Sequence, residues 1–164
     1  MSNTHQIYAP FFKNLMAGNI PNLAVVDIKC ALLHRNASEV SYSFDISHET
    51  WADVKDFEVD DADYTPGGET IDNRVVELIT EGELENHSVL DSTLVPKETV
   101  FTEMGSITAS HAVIYYDGGA TDADKLLISC VTFEAVKESS ADEFKLTWHD
   151  DGILALEPDG AGGE

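Results

Sequence analysis

The segment "TASHAV" places Ser110 beside His111, the two residue types that make a nucleophilic hydroxyl and its general base. Adjacent side chains on a strand point to opposite faces, so the sequence predicts that these two do not pair. No nucleophile-elbow motif surrounds the serine. His149-Asp150-Asp151 offers an imidazole and two carboxylates, donors that suit a metal ion. Their place before an Asp-Gly pair explains the acids as turn residues instead. The stretch "DDADYTPGGETID" resembles the first half of a calcium loop, with oxygen donors at Asp61, Asp63 and Thr65 and Asp72 closing the window. It then departs from that pattern. The position that must bend sharply holds Pro66 rather than Gly, and the closing residue is Asp rather than a bidentate Glu. Thr65-Pro66-Gly67-Gly68 reads better as a turn, with Pro presetting the first central φ and Gly accepting a positive φ at the second.

The remaining chemistry-bearing residues form no recognisable set. His5, His34, His48, His87, His111 and His149 show no i, i+4 pairing and no HxH spacing. There is no CxxC, no zinc pattern and no Gly-rich phosphate loop. The carboxylates are too many to single out a glycosidase pair. No catalytic, cofactor-binding or metal-ligating residue is therefore assigned, and a non-enzymatic protein without cofactor is expected.

The elements that would position these residues are mostly strands. Pro10 in a first turn, "FFKNLMA" and a capping Gly18 predict one short N-terminal helix, apolar on one side. Leu23 to His34, "LAVVDIKCALLH", is rich in β-formers and apolar on both faces, which predicts a strand covered on both sides. "VSYSFDIS" alternates as a strand. "ETWADVKDF" suits one helical turn anchored by Trp51, and "NRVVELIT" a further strand. Glu81 to Lys97 reads mostly as loop. "SITASHAVIYYDGG" and "KLLISCVTFEAV" predict two strands joined through a Gly turn. In "FKLTWHDDGILAL", Phe144, Leu146 and Trp148 alternate toward one face. Asp151-Gly152 predicts a tight hairpin turn, with "ILAL" returning as the partner strand. The fold class expected is mainly β, an antiparallel sandwich or barrel with one short N-terminal helix. Residues 1–157 form a single domain in this reading, and 158–164 a flexible polar tail.

Composition narrows the partners. Nine Lys plus Arg face thirty-one Asp plus Glu, a formal net charge of −22. That charge disfavours nucleic acid, whose phosphates need a basic footprint, and disfavours anionic membranes for the same reason. It suits a solvated surface in high salt, where screening weakens self-repulsion. "MSNTHQIYAPFF" lacks the basic-then-apolar pattern of a secretory signal, so no secretory route is expected and the sequons at Asn36 and Asn86 carry little weight. Cys30 and Cys130 lie in apolar runs and are expected to stay reduced. Trp51, Tyr64, Tyr115 and Tyr116 are the aromatics a carbohydrate-binding module would expose, although core packing is the more common use of each.

The order of motifs resembles a family of small tailed-bacteriophage virion structural proteins. Its members begin with a short helix ending in Gly and an "IKxALL"-like strand, here "FFKNLMAGNIPNLAVVDIKCALL". A Trp segment and a Tyr-Thr-x-Gly-Gly turn follow, here "WADV" and "YTPGGETI". The C-terminal motifs are here "ITASHAVIYYDGG", "KLLISCVTFE" and "FKLTWHDDGILAL". The match runs in order over nearly the whole chain and is weakest from Glu81 to Lys97. The resemblance implies a virion component located on the capsid outer surface, a decoration (cement) or head-knob protein. Its partners would be the major capsid protein and further copies of itself, as a homo-oligomer such as a trimer. The interior lining faces packaged DNA, which a charge of −22 would oppose. A tail- or fibre-associated protein is the alternative within the family. A β-sandwich carbohydrate-binding module or small hydrolase is the alternative outside it.

Overall fold

The computed structural model describes residues 3–61, 64–85, 87–93, 97–101, 106–140, 144–149 and 152–157. The tail from 158 onward lies outside them, as do Asp63, Asn86, Asp150 and Asp151. The described residues are mainly β, with antiparallel sheets and one α-helix. The strands are β1 (Thr4–Ile7), β2 (Ile28–Leu33), β3 (Glu69–Thr70), β4 (Arg74–Leu78), β5 (Ser88–Ser92), β6 (Glu98–Phe101), β7 (Ser106–Asp117), β8 (Lys125–Ser140), β9 (Phe144–Thr147) and β10 (Leu154–Leu156). Five form a central sheet in the order β1-β8-β7-β2-β3; β10-β5-β4 and β6-β9 form two smaller sheets.

Helix α1 (Ala9–Met16) stands where Pro10 and Gly18 predict it. Pro10 lies in the first turn, and Gly18 takes φ 78° while its N–H closes onto the Leu15 carbonyl at 3.3 Å. Its apolar residues are split rather than gathered on one side: Phe11 is buried, whereas Phe12 and Met16 are 42% and 84% exposed. β2 is shorter than expected, beginning at Ile28. The Asn22 side chain accepts the Ala24 N–H at 2.9 Å and the Asn22 carbonyl accepts the Val25 and Val26 N–H groups, so Leu23–Val26 coil into a turn. From Ile28 the strand is covered on both faces, as its two-sided apolar pattern requires.

Register assigns the two faces. The paired rows Cys30–Ile114–Ser129 and Leu32–Ala112–Val131 point one way, and Ala31–Val113–Cys130 and Leu33–His111–Thr132 the other. The first face packs against Leu90, Phe101, Phe144, Leu146, Trp148 and Leu154 of the smaller sheets. The second packs against Tyr8 and the non-repetitive segment after β2, through Tyr42, Phe44, Trp51, Val54 and Phe57. The central sheet is thus sandwiched between strands and an irregular strap.

Further expectations are corrected. Val40–Ser47 forms no strand: it makes one isolated bridge, Arg35 to Ser41, and lies across the sheet to insert Tyr42 and Phe44. Its alternation buries aromatics without a neighbouring edge to pair with. Glu81–Lys97 is mostly without strand among its described residues, as expected, but it holds β5, between β10 and β4. Only Val89 and Leu90 of β5 are apolar, too short a run to show a period. Phe144, Leu146 and Trp148 are buried as expected, but the strand after them does not return beside them. β9 pairs with β6 and β10 with β5. His149 and Gly152 do close a turn, with the Gly152 N–H donating to the His149 carbonyl at 2.9 Å and an isolated bridge between them. It ends β9 and sends the chain to another sheet, where the Ile153 N–H donates to the Leu90 carbonyl at 2.8 Å. β1 also falls where no strand is expected, because its sequence has a single apolar residue.

Candidate functional site

A further correction concerns Ser110 and His111. Ala109 pairs with Lys137 and His111 with Thr132, so residues 133–136 of β8 lie opposite the single Ser110 of β7. Such a bulge kinks the strand and re-aims its side chains. Strict alternation fails there, and Ser110 Oγ lies 2.7 Å from His111 Nδ1. His111 is buried and stands edge-on to Tyr42, with ring centroids 4.9 Å apart at 88°. Burial holds its imidazole below the ordinary histidine range, and neighbouring His34 adds to that. A neutral imidazole can accept a hydroxyl proton, so the pair has the elements of an activated serine. Ser110 Oγ also reaches the Leu33 carbonyl at 3.4 Å. Among the described residues no carboxylate bonds His111 Nε2 to orient it as a third member would.

Beneath the strap runs a second polar chain. The Tyr8 and Tyr42 hydroxyls are 2.8 Å apart, and the Tyr42 hydroxyl is 3.2 Å from His48 Nδ1. Asp45 lies 3.9 Å beyond, at His48 Nε2. Burial raises the Tyr8 and Tyr42 hydroxyls far above the usual phenol range, so both remain protonated donors. Trp51 stacks on Tyr115 at 4.6 Å, held by the turn Trp51–Asp53, in which the Asp53 carboxylate accepts the Glu49 and Thr50 N–H groups. The helical turn expected around Trp51 is therefore present, as two short 3₁₀ turns, Trp51–Asp53 and Lys55–Phe57.

The Gly-Gly segment is a shaping turn. Gly68 N–H donates to the Thr65 carbonyl at 2.9 Å, Pro66 and Gly67 are central, and Gly67 has φ 92°. Glu58 Oε2 accepts the Gly67 N–H at 2.7 Å and the Tyr64 hydroxyl at 2.9 Å. The Tyr64 hydroxyl in turn accepts the Leu32 N–H at 3.0 Å, and the Tyr115 hydroxyl donates to the Gly67 carbonyl at 2.6 Å. Burial pushes the Glu58 carboxyl up despite these donors. Gly68 has φ 83°, and a Cβ there would stand 1.9 Å from the Cys30 carbonyl oxygen. The turn thus lies against β2 and supplies a fixed contact. Asp63 and Asp150–Asp151 fall outside the described residues, among which no three His, Cys, Asp or Glu side chains gather as a metal site.

The other sequence candidates are dispersed. His5 Nε2 bonds Ser129 Oγ at 2.9 Å, and His87 Nε2 lies 3.3 Å from Glu157. His34 borders a polar cleft of about 870 Å³, opposite Glu58, Asp60 and Glu138. Asn36 uses its side chain as a turn former, accepting the Ser38 and Val40 N–H groups. Trp51, Tyr64 and Tyr115 are buried and Tyr116 is half-buried, so none is a free stacking platform. A second cleft, about 700 Å³, has Lys137, Lys145 and His149 above a floor of Phe133, Phe144 and Trp148. Cys30 and Cys130 are free and buried. Sequence reasoning missed the Ser110–His111 contact because a bulge on β8 has no signal in the sequence of β7.

The architecture and site define a β-rich protein of antiparallel sheets, with polar networks held beneath a strap. Compared with known proteins, the chain matches no family model, no curated protein and no solved structure. Among the described residues no helix is long and apolar enough to cross a membrane.

Proposed function

We propose that this protein is a non-enzymatic structural component of a bacteriophage particle, a decoration protein that binds the outer surface of the head and reinforces it. The observation that carries the reading is the ordered series of motifs. "FFKNLMAG" falls on α1, "IKCALL" on β2, "YTPGG" on the turn against β2, "ITASHAVIYYDGG" on β7, "KLLISCVTFE" on β8, and the described parts of "FKLTWHDDGILAL" on β9 and β10. Three of these motifs, on β2, β7 and β8, supply adjacent strands of the central sheet. A charge of −22 supports an outward location, away from packaged DNA. The buried Trp51, Tyr64 and Tyr115 weigh against a carbohydrate-binding module that stacks sugars on them. The partners in this reading are the major capsid protein and further copies of the chain on a symmetric lattice.

A ligand that binds only the assembled shell stabilises it by mass action. Particles lacking the protein are expected to rupture at lower temperature or milder osmotic shock, and a particle map is expected to place it on the head. A tail location, or particles of unchanged resistance, would refute the cement role. The 2.7 Å Ser110–His111 contact favours one competing reading, a small hydrolase. Incubation with a fluorophosphonate decides it: labelling at Ser110 that Ser110→Ala abolishes would establish a reactive serine, and no labelling is expected.

A further inference from the structure

We propose that the open edge of β4 is a docking site for an extended, apolar, lysine- or arginine-flanked segment of another protein, which joins the three-stranded sheet as an added strand. β4 is terminal in that sheet and pairs only with β5 among the described residues. The flanking bonds from Ile79 N–H to His87 and from Thr93 N–H to Asn73 set the alternation: odd-numbered residues of β4 bond toward β5. The backbone groups of Val76 and Leu78 therefore face outward, and an exposed strand edge of this kind templates a further strand.

The side chains distinguish this edge from the two edges of the central sheet. β1, the outer strand of the central sheet, presents Thr4, His5 and Gln6, and β3 has only two residues. On β4, Val76 and Leu78 are 47% and 63% exposed. Their face continues into an apolar groove of about 390 Å³, between Leu90 and Leu154 of the sheet and Ile20 and Leu23 of the loop after α1. A strand laid along β4 would pair its backbone with Val76 and Leu78 and set alternate side chains over the groove.

Charge selects the occupant. From Asp72 to Glu85 the chain carries Asp72, Glu77, Glu81, Glu83 and Glu85, all exposed. The one base there, Arg74, is turned inward and donates to the carbonyls of Leu23, Val26 and Ile71. Acids thus frame an apolar edge. A second copy would oppose the same acids to themselves, on chains of net charge −22 each, whereas basic flanks complement them. The surface is argued from geometry and charge, and stands whether or not the partner belongs to a particle.

The test uses the full chain and a short synthetic peptide of alternating threonine and valine flanked by lysine pairs. Backbone NMR is expected to show saturable shifts centred on Val76 and Leu78, and calorimetry a salt-weakened association. Val76→Pro removes one outward N–H, which an edge strand tolerates, and is expected to weaken binding by about tenfold or more. Val76→Lys keeps the backbone donor but repels the peptide, and is expected to weaken it at least as much; circular dichroism confirms that each variant is folded. No binding, shifts elsewhere, equal binding of a glutamate-flanked peptide, or a concentration-dependent dimer lost in Val76→Lys would overturn the proposal. The assay contains no particle, so its failure is separable from failure of the virion reading.

Discussion

The two faces of the central sheet are buried by different means. One is covered by strands of the smaller sheets and meets them with Cys30, Leu32, Ala112, Ile114 and Val131, an almost wholly apolar layer. The other is covered by chain with little repetitive structure. There the layer contains Tyr8, Tyr42, Trp51 and Tyr115, and His111 beside it. Strands satisfy their own backbone through the ladder, so the side chains between sheets need only fill space. A strap without a ladder must be fixed by specific bonds, and buried tyrosines with half-buried His48 and Glu58 make them. Ordering the strap thus depends on polar contacts, and the sandwiched sheets on volume.

The site where both dependences meet is Gly68, where the strap returns onto β2. Gly68→Ala would combine a strained φ of 83° with a Cβ 1.9 Å from a backbone oxygen that cannot swing away. The expected loss is about 4 kcal/mol or more, enough to abolish soluble expression of a marginal domain. Gly18→Ala is the control, because its φ of 78° is similar but nothing lies within 4 Å. That substitution is expected to cost only about 1–2 kcal/mol in a urea titration. Equal losses would mean that backbone conformation, and not the contact with β2, dominates at Gly68.

Volume and bonding can then be separated on the two faces. Leu32→Ala, in the apolar layer, is expected to cost about 2–5 kcal/mol through lost transfer and a residual cavity. Tyr8→Phe leaves the ring and removes only the hydroxyl at 2.8 Å from Tyr42, with an expected cost of about 1–2 kcal/mol. If Tyr8→Phe were neutral, the polar chain under the strap would be incidental to holding it, and the contrast between the faces would fail.

This contrast also explains what the sequence discloses. The apolar face is written in periods: "IKCALL", "HAVIYY" and "KLLISC" are contiguous β-formers, and they became β2, β7 and β8. The Pro-Gly turn was equally legible, since φ limits act within a few residues. The strap was not. "VSYSFDIS" alternates like a strand, yet its partners are a sheet face and Tyr8, and no local rule distinguishes an aromatic that packs under a loop from one that packs under a neighbour strand. Pairing across long separations was illegible for the same reason. The turn at His149–Gly152 is encoded locally, but whether Leu154–Leu156 then joins β9 or β5 is decided by distant edges. The Ser110–His111 contact belongs to that class, because it depends on where β8 bulges.

A smaller effect tests the histidines of the polar face. His111 is buried beside Tyr42, Ser110 and His34, and its folded-state pKa lies below the ordinary value because of that burial. The unfolded chain therefore binds the proton more readily. The stability it contributes is complete above the unfolded value, about pH 6.5, and is lost as pH falls below it. His5, lowered by burial at the edge of the other face, acts in the same direction. Denaturation midpoints should decline from pH 7 toward pH 5, and His111→Gln should flatten part of that decline. A His111→Gln curve with the parent slope would show that protonation of the polar face is not what acid exploits.

The last test concerns two residues placed on opposite faces by one strand of separation. Cys30 pairs with Ile114, and Ile114 with Ser129; Cys130, one residue on, pairs with Val113, and Val113 with Ala31. Successive residues of a strand alternate in direction, so the two thiols project away from each other through the sheet. Strand β7 also lies between them, which puts their Cα atoms two strand spacings, about 10 Å, apart. A disulfide needs Cα atoms within about 7 Å and converging Cβ vectors. Burial adds a kinetic barrier, holding the Cys130 thiol up at about 12 and the Cys30 thiol higher still, so little thiolate forms near neutral pH. Treatment of the folded protein with a thiol oxidant is therefore expected to leave its melting curve unchanged and to yield no linked peptide by mass spectrometry under non-reducing conditions. The same oxidant applied in urea, where the sheet no longer separates the faces, is expected to produce the cross-link. Its appearance in the folded protein would contradict the register that defines the two faces, and with it the contrast between them.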